Sequence, residues 1–415
     1  MFLRIPMRIL LHVTTDWIVE MNVLLVEPDY YTRYPSLGLL KLGAFHKQSG
    51  DQVVLVRGKA PVGFTPDRIY VTSLFTWDWK PVWEAVKHYK REFPKTELRL
   101  GGIYASLLVD HAKQSGADVV WEGILPSVEN VLPDYSLVPE WKSSLLFATR
   151  GCPRKCGFCS VPKLEGAPVP SHDSIASLIF PGHSKAIFFD NNVLALPNWR
   201  DVFSELIALK MKCDFNQGMD ARFVNEENAE LLSKMDIPFI RMAFDYIGIR
   251  PWIEKAITRL KDNGIKGRRM VFYALHNYVD DPEDFFQRVR DLLSWGVVVY
   301  PMRYEPLCTL QKHKYVSPKW TPEELRMVAE ARRVLGYGGA FPPYKGLVEK
   351  FQRANNFQEA FSLRSMGGNW KVPEPVVEMA LEHEQQNSIN KKYFPTWRRE
   401  KDWRKTPLVT SSLGR

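Results

Sequence analysis

Thr149-Arg150-Gly151-Cys152-Pro153-Arg154-Lys155-Cys156-Gly157-Phe158-Cys159 is the stretch on which the reading of this chain turns. Three of the five cysteines fall within eight residues, spaced C-x3-C-x2-C. Thiolate is the ligand type of iron–sulfur clusters. Three thiolates this close can hold three irons of a cube and leave the fourth without a protein ligand. An open iron is a place to bind and activate a small molecule. A tetrahedral zinc would need a fourth ligand, such as His172. A chance group of buried free thiols is the third way to read the stretch.

Around that loop lie 415 residues, enough for two or three domains. An apolar content of 45% and an aromatic content of 13% exclude a globally disordered chain. Five cysteines, three of them clustered, do not make a disulfide framework and suit a reducing cytoplasm. No apolar run approaches the roughly 20 residues of a membrane span. The net charge of +9 is concentrated at the end. Residues 391–415 hold eight basic residues against Glu400 and Asp402, with Phe394, Trp397 and Trp403 interleaved. Basic plus aromatic suits single-stranded nucleic acid, but a solubilising tail is the favoured reading.

Before the loop, short apolar strands alternate with helices. Strands are expected at 22–27, 53–56, 69–74, 98–100 and 118–121, with helices at 37–48, 81–93 and 105–114. That order predicts an α/β, doubly wound parallel sheet over residues 21–130, behind an N-terminal extension of residues 1–20. Residues 131–143, with Pro133 and Pro139, read as a linker. From 144 to 314 six more strand–helix units follow. Their strands are at 145–148, 185–190, 212–217, 239–245, 269–275 and 297–304, and the first helix is expected at 171–179. The polar strand ends Asp190, Asn191, Gln217, Asp220, Arg222, Asp245 and Arg303 would share one mouth. Residues 315–390 read as a mainly helical C-terminal extension, with helices starting at Thr321, Val348 and Pro375. A basic tail closes the chain.

The cysteine loop resembles that of radical S-adenosylmethionine (SAM) enzymes. The likeness lies in the spacing, in the aromatic Phe158 before the last cysteine, and in the apolar run before Thr-Arg-Gly-Cys-Pro. It implies a partial (β/α)6 radical SAM barrel and a [4Fe-4S] cluster on Cys152, Cys156 and Cys159. In that scheme the cluster cleaves SAM to a 5′-deoxyadenosyl radical, fed by an electron donor such as ferredoxin or flavodoxin. The resemblance places Phe158 near the adenine. It puts Asp190, Asn191 and Asn192 at the SAM amino group or ribose, and Gln217, Asp220, Arg222 and Arg241 in the same pocket. Read from the residues alone, 190–192 are equally a capped turn, Asp220 and Arg222 a surface ion pair, and Arg241 a lumen or an outer residue.

The first domain resembles the cobalamin (B12)-binding domain that precedes many radical SAM barrels. The matching segments are Tyr34-Pro35-Ser36-Leu37-Gly38, Leu100-Gly101-Gly102-Ile103-Tyr104-Ala105-Ser106 and Trp121-Glu122-Gly123. With Ser73 and Leu74 at the end of the third strand, these are the cobalamin-contacting residues the resemblance implies. The D-x-H-x-x-G histidine loop of several cobalamin proteins is absent, because Asp110-His111 is adjacent and helical. A degenerate domain kept as scaffold therefore stays open.

The resemblance implies methyl transfer to an unactivated carbon or phosphorus if cobalamin binds. A rearrangement, cyclisation or oxidation is implied if it does not. A non-catalytic zinc- and nucleic-acid-binding protein is the alternative from another class. Methylthiotransferases share the loop but need three more cysteines in the first domain, and residues 1–151 contain none. His276 reads as a satisfied loop histidine, and Cys213 and Cys308 as small buried residues.

Overall fold

The computed structural model describes residues 20–170, 174–335 and 345–362. The extension before Glu20, His172, the glycines at 336–339, the helix expected at 375–386 and the basic tail lie outside them.

Nine elements build the first domain. They are β1 (Asn22–Glu27), α1 (Leu37–Gln48), β2 (Gln52–Arg57), β3 (Arg68–Ser73), α2 (Trp79–Glu92), β4 (Glu97–Gly102), α3 (Ile103–Leu107), α4 (Val109–Lys113) and β5 (Val119–Val120). The strands form one parallel sheet in the order β2-β1-β3-β4-β5. Val23 to Val26 are fully buried on both faces, as the continuous apolar run of a central parallel strand requires. Leu24 and Val26 pack towards α2, while Val23 and Leu25 pack towards α1. Helices therefore cover both faces. The helix expected at 105–114 is broken at Leu108 (φ −131°, ψ 55°) into α3 and α4. The break brings Tyr104 Oη to 2.6 Å from His111 Nδ1. In an unbroken helix, residues seven apart would stand about 10 Å apart along the axis.

α5 (Pro126–Glu129) leads into β6 (Ser144–Leu146). β7 (Thr149–Arg150), α6 (Val161–Leu164) and β8 (Val169–Pro170) follow; β7 and β8 pair antiparallel and form a neck under the cysteine loop. Next come β9 (Lys185–Phe188), α7 (Trp199–Ala208), β10 (Lys212–Phe215), α8 (Glu226–Lys234) and β11 (Ile240–Ala243). The run ends with α9 (Arg250–Asp262), β12 (Met270–His276), α10 (Pro282–Ser294) and β13 (Val298–Arg303). β6, β9 and β10 form one parallel sheet and β11, β12 and β13 another. A bridge between Met219 and Met242 joins them, giving an open arc of six parallel strands. Strand side chains alternate. Ala186, Phe188, Cys213, Phe215, Ile240, Met242, Phe272 and Ala274 share the core with the helices. Asp214, Arg241 and Val271 fall on the inner face of the arc.

Two expectations in this domain need correction. The first helix, expected at 171–179, is a single 3-10 turn at Ala176–Leu178 among the described residues. Glu205 of α7 takes the N–H groups of Ile175 and Ala176, and Pro181 follows at once. The segment at 131–143 is not a loose linker. Tyr135, Val138 and Trp141 are buried, and they share one core with Val23, Leu25 and Leu40 of the first domain and Leu145 and Ile187 of the arc. The C-terminal extension adds α11 (Pro322–Leu335), α12 (Lys345–Arg353) and α13 (Phe357–Phe361). Asn356 caps α13 by accepting from the Glu359 N–H, which splits the helix expected at 348–363.

The carboxyl ends of the two sheets meet. Tyr34, beyond β1, donates to Asn216 Oδ1 beyond β10 (2.9 Å). Thr76, beyond β3, donates to the Thr309 carbonyl beyond β13 (2.6 Å). Among the described residues no helix is long and apolar enough to cross a membrane.

Candidate functional site

The cysteine loop stands on the β7–β8 neck at the mouth of the arc. Cys152, Cys156 and Cys159 are half-buried and unbridged. The Cys159 N–H returns to the Cys156 carbonyl (3.1 Å), and the Cys152 N–H donates to the Gly166 carbonyl (3.1 Å). Burial, then Asp245, then the other two cysteines push the Cys156 thiol up, while Arg222 opposes them. Burial also pushes Cys159 up, with Cys152, Asp245 and Glu165 adding to it against the Val161 N–H. A metal bound here would take the place of the thiol protons. Among the described residues no three His, Cys, Asp or Glu side chains are grouped as one metal ion would need. A single zinc would draw its thiolates to about 3.8 Å from one another. Three unbridged cysteines on one short loop are the donor type that an iron–sulfur cluster takes.

The residues expected around SAM divide into two groups. Asn192 is buried at the end of β9; its Oδ1 accepts from the Asp220 N–H (3.4 Å), and its Nδ2 has no partner among the described residues. A buried, unsatisfied amide donor is costly unless something accepts from it. Phe158 sets its ring edge-on to Tyr278, centroids 5.6 Å apart, and Tyr278 lies 4.6 Å from Tyr304. Arg222 binds Asp220 through Nε (2.7 Å) and one terminal nitrogen (2.9 Å), and the Arg154 Nε joins the same carboxylate (2.9 Å). Asp220 thus ties the cysteine loop to the end of β10. Burial works to raise its carboxyl, but the hydrogen bonds from Arg222 and Arg154 outweigh it and hold the group below its usual value.

The other four expected residues have these surroundings. Asp190 is fully buried and accepts from the Ala148 N–H (3.0 Å) and the Thr149 N–H (2.7 Å). Arg241 is buried on the inner face of the arc and pairs with Asp214, which settles a choice the sequence left open. Gln217 is exposed. Asn191 donates to Glu165 Oε2 (3.0 Å).

Asp245 is the residue whose importance sequence reasoning understated. It was legible only as one of several polar strand ends. The structure sets it within electrostatic reach of Cys156, Cys159, Arg222 and Asp220, where burial raises its carboxyl to about 6. Glu165, Arg154 and Tyr278 carried no signal of spacing or type. His276 is not a satisfied loop histidine. It ends β12, buried against Phe285 and Trp320, and its Nδ1 has no partner among the described residues. Cys213 is buried as expected, but Cys308 is exposed.

In the first domain, the expected cobalamin residues also separate. Tyr34 packs edge-on to Phe189 and Trp141 and bonds Asn216, so it joins the domains. Pro35 and Leu37 are buried; Ser36 meets Thr72 (3.3 Å), and Gly38 is exposed with open space where a Cβ would stand. Leu74 is half-buried. Ser73 donates to the Gly101 carbonyl (2.7 Å) and accepts from the Ala105 N–H (3.2 Å). Gly102 has φ +102°, and a Cβ there would lie 2.1 Å from the Ser73 carbonyl. The glycine is therefore required by the close packing of β4 on β3. Glu122 and Gly123 line a cleft of about 370 Å³ with Ser106, His111 and, from α6, Lys163. Tyr31, Phe75, Ile103 and Trp121 stand exposed beyond β1, β3, β4 and β5. That is an apolar rim at the strand ends, where doubly wound sheets bind ligands, and it fits a flat ring system.

No protein-family model matches the chain, and no curated protein matches it. Solved structures do. One is the apo form of the cobalamin-dependent S-adenosylmethionine radical enzyme OxsB; it is 13% identical with a TM-score of 0.45, over 89% of this chain and 62% of that one. Another is SuiB of Streptococcus suis bound to S-adenosylmethionine, 13% identical with a TM-score of 0.31, over 60% of each chain. A second structure of SuiB from Streptococcus suis matches at 13% identity and a TM-score of 0.33, over 60% of this chain and 61% of that one. This chain thus spans about three fifths of the length of each of these three chains.

Proposed function

We propose that the chain is a radical SAM enzyme whose first domain brings cobalamin to the mouth of the barrel. The observation that carries the reading is the cluster of three half-buried, unbridged cysteines on the loop at the mouth, with Asp245 within electrostatic reach of two of them. When bound, an iron–sulfur cube with one open iron supplies the electron that splits SAM into methionine and a 5′-deoxyadenosyl radical, and cobalamin supplies a methyl group.

The chain's own residues hold and orient. Cys152, Cys156 and Cys159 would hold the cluster. Asn192 Nδ2 donates to a polar group of SAM, and Asp245 accepts from its amine or ribose. Two nitrogens of Arg222 are taken by Asp220 and the third is left for a carboxylate. Phe158 and Tyr278 wall the adenine. The exposed rim of Tyr31, Phe75, Ile103 and Trp121 would take the flat ring of cobalamin. Methyl transfer to an unactivated carbon or phosphorus is the reaction this pairing supports. The setting is a reducing cytoplasm, with ferredoxin or flavodoxin as the donor.

Anaerobic reconstitution tests the reading. A brown protein with about four irons per chain, absorbing broadly near 400 nm, is expected. It should co-purify with cobalamin and yield 5′-deoxyadenosine together with S-adenosylhomocysteine. 5′-Deoxyadenosine alone would turn the assignment to rearrangement, cyclisation or oxidation. A colourless protein with one zinc would sink it in favour of a metal-structured binding protein.

A further inference from the structure

We infer that Glu165 is a positioning residue that fixes the cysteine loop to both the end of β9 and the first domain, and that its charge sets the cluster's reduction potential. The inference rests on the cluster reading above.

Glu165 lies six residues beyond Cys159, just after α6. Its Oε2 accepts from the Gly151 N–H (2.9 Å), next to the first cysteine, and from Asn191 Nδ2 (3.0 Å) at the end of β9. Its Oε1 faces a terminal nitrogen of Arg150 (3.5 Å). Arg150 forks onto Glu129 (2.7 and 3.0 Å) and lies over the Phe147 ring. Lys41 of α1 reaches the same Glu129. A chain of contacts therefore runs from a helix of the first domain to the residue before Cys152. The backbone closes the bracket. Gly151 has φ +78°, and a Cβ there would lie 2.2 Å from the Ala167 carbonyl. Cys152 is bonded to Gly166.

These hydrogen bonds do not need a charge. A glutamine oxygen could accept from Gly151 and Asn191 equally well. Arg150 is already satisfied by the bidentate contact with Glu129. A carboxylate beside an anionic cluster is repelled by it, and Arg150 offsets only part of that charge because it also pairs with Glu129. Its effect falls on electron entry, because a fixed negative charge opposes adding an electron. Glu165 thus makes the bound cluster a stronger reductant, and through Asn191 it ties that property to the SAM-facing end of β9.

The test uses the full-length chain, reconstituted anaerobically, as wild type, Glu165→Gln and Glu165→Asp. The readouts are iron content, midpoint potential from a titration followed by electron paramagnetic resonance, and KM for SAM. Glu165→Gln should keep its iron and shift the reduction equilibrium about tenfold towards the reduced state, which is about 59 mV for one electron. Glu165→Asp keeps the charge but withdraws it by one methylene. It should hold the wild-type potential while KM for SAM rises several-fold. An iron-loaded Glu165→Gln at the wild-type potential overturns the inference and leaves the proposed function standing. A wild type that takes up no iron or sulfide overturns both. Should Glu165→Gln alone fail to load, Glu165→Asp decides: a raised KM supports the inference and an unchanged one overturns it.

Discussion

Asp190 and His276 are both buried, and burial shifts each away from its usual value towards the neutral form. Burial pushes the Asp190 carboxyl up to about 7 against the Ala148 and Thr149 N–H groups. The folded chain therefore keeps a proton that the unfolded chain releases between about pH 4 and 7. The stability this group contributes is full below that window and falls as pH rises through 7. His276 is the reverse. Burial first, then Arg288 and Arg303, lower its ring to about 3. Its contribution is full above about pH 6.5 and is lost as the solution is acidified below that, by at most about 1.4 kcal/mol for each step of one in pH. His276→Phe should gain on the wild type as pH drops from about 6.5 to about 4, measured by urea unfolding at a series of pH values. An unchanged difference across that range would mean that the ring is already charged in the fold. On the proposed reading, Asn192→Ala removes one donor to SAM and should raise KM about tenfold, at roughly 1.4 kcal/mol. Iron content should not change, and a variant that loses iron instead would make Asn192 a loop support. The sequence marked residues 190–192 as a polar strand end. It did not say that Asp190 points in and Asn192 towards the mouth, because that is set by which backbone N–H groups β6 and β7 present.

At the scale of elements, the alternation of apolar strands and amphipathic helices was legible nearly throughout. Val23 to Val26 and Val271 to Leu275 could not be mistaken for surface segments, and the cap at Thr321 marks the start of α11 as expected. What failed were places where a side chain from another element decides. Glu205 takes the N–H groups at 175–176 and leaves a turn where a helix was expected. Tyr104 and His111 close on each other across the break between α3 and α4. The two glycines that matter most were visible as letters, but their reason was not. At Gly102 the crowding atom belongs to β3, and at Gly151 to the segment that closes the neck. Both have positive φ, so an alanine is strained twice over. Gly151→Ala should displace Cys152 and cost at least about half of the bound iron, read by iron and sulfide analysis. Gly102→Ala should lower stability by about 2–4 kcal/mol without touching the cysteine loop. A Gly102→Ala chain that stays stable but loses cobalamin would assign that glycine to the ligand.

The sequence reads as a first domain, a linker, a barrel and a helical extension, and in the structure the joint between the first domain and the barrel is apolar. Leu145 and Ile187 of the arc lie in the same core as Val23, Leu25 and Leu40 of the first sheet, with Tyr135 and Trp141 wedged between. Pro133 and Pro139 made this stretch look like a tether. The signal against that was Tyr135, Val138 and Trp141 in one short segment, too irregular in spacing to belong to a helix or strand. Cores that share residues cannot unfold separately without exposing those residues. The chain should therefore lose both domains in one transition, followed by far-ultraviolet circular dichroism and by tryptophan fluorescence in urea. Two-state behaviour is usual for smaller proteins, so coincidence of the two curves at this size would be a strong result. Trp141→Ala removes the centre of the wedge, should cost about 3–5 kcal/mol, and should split the transition in two. A wild type that already unfolds in two steps would show that the joint contributes little. The contacts of Tyr34 with Asn216, of Thr76 with the Thr309 carbonyl and of Arg150 with Glu129 would then have to hold the two mouths together.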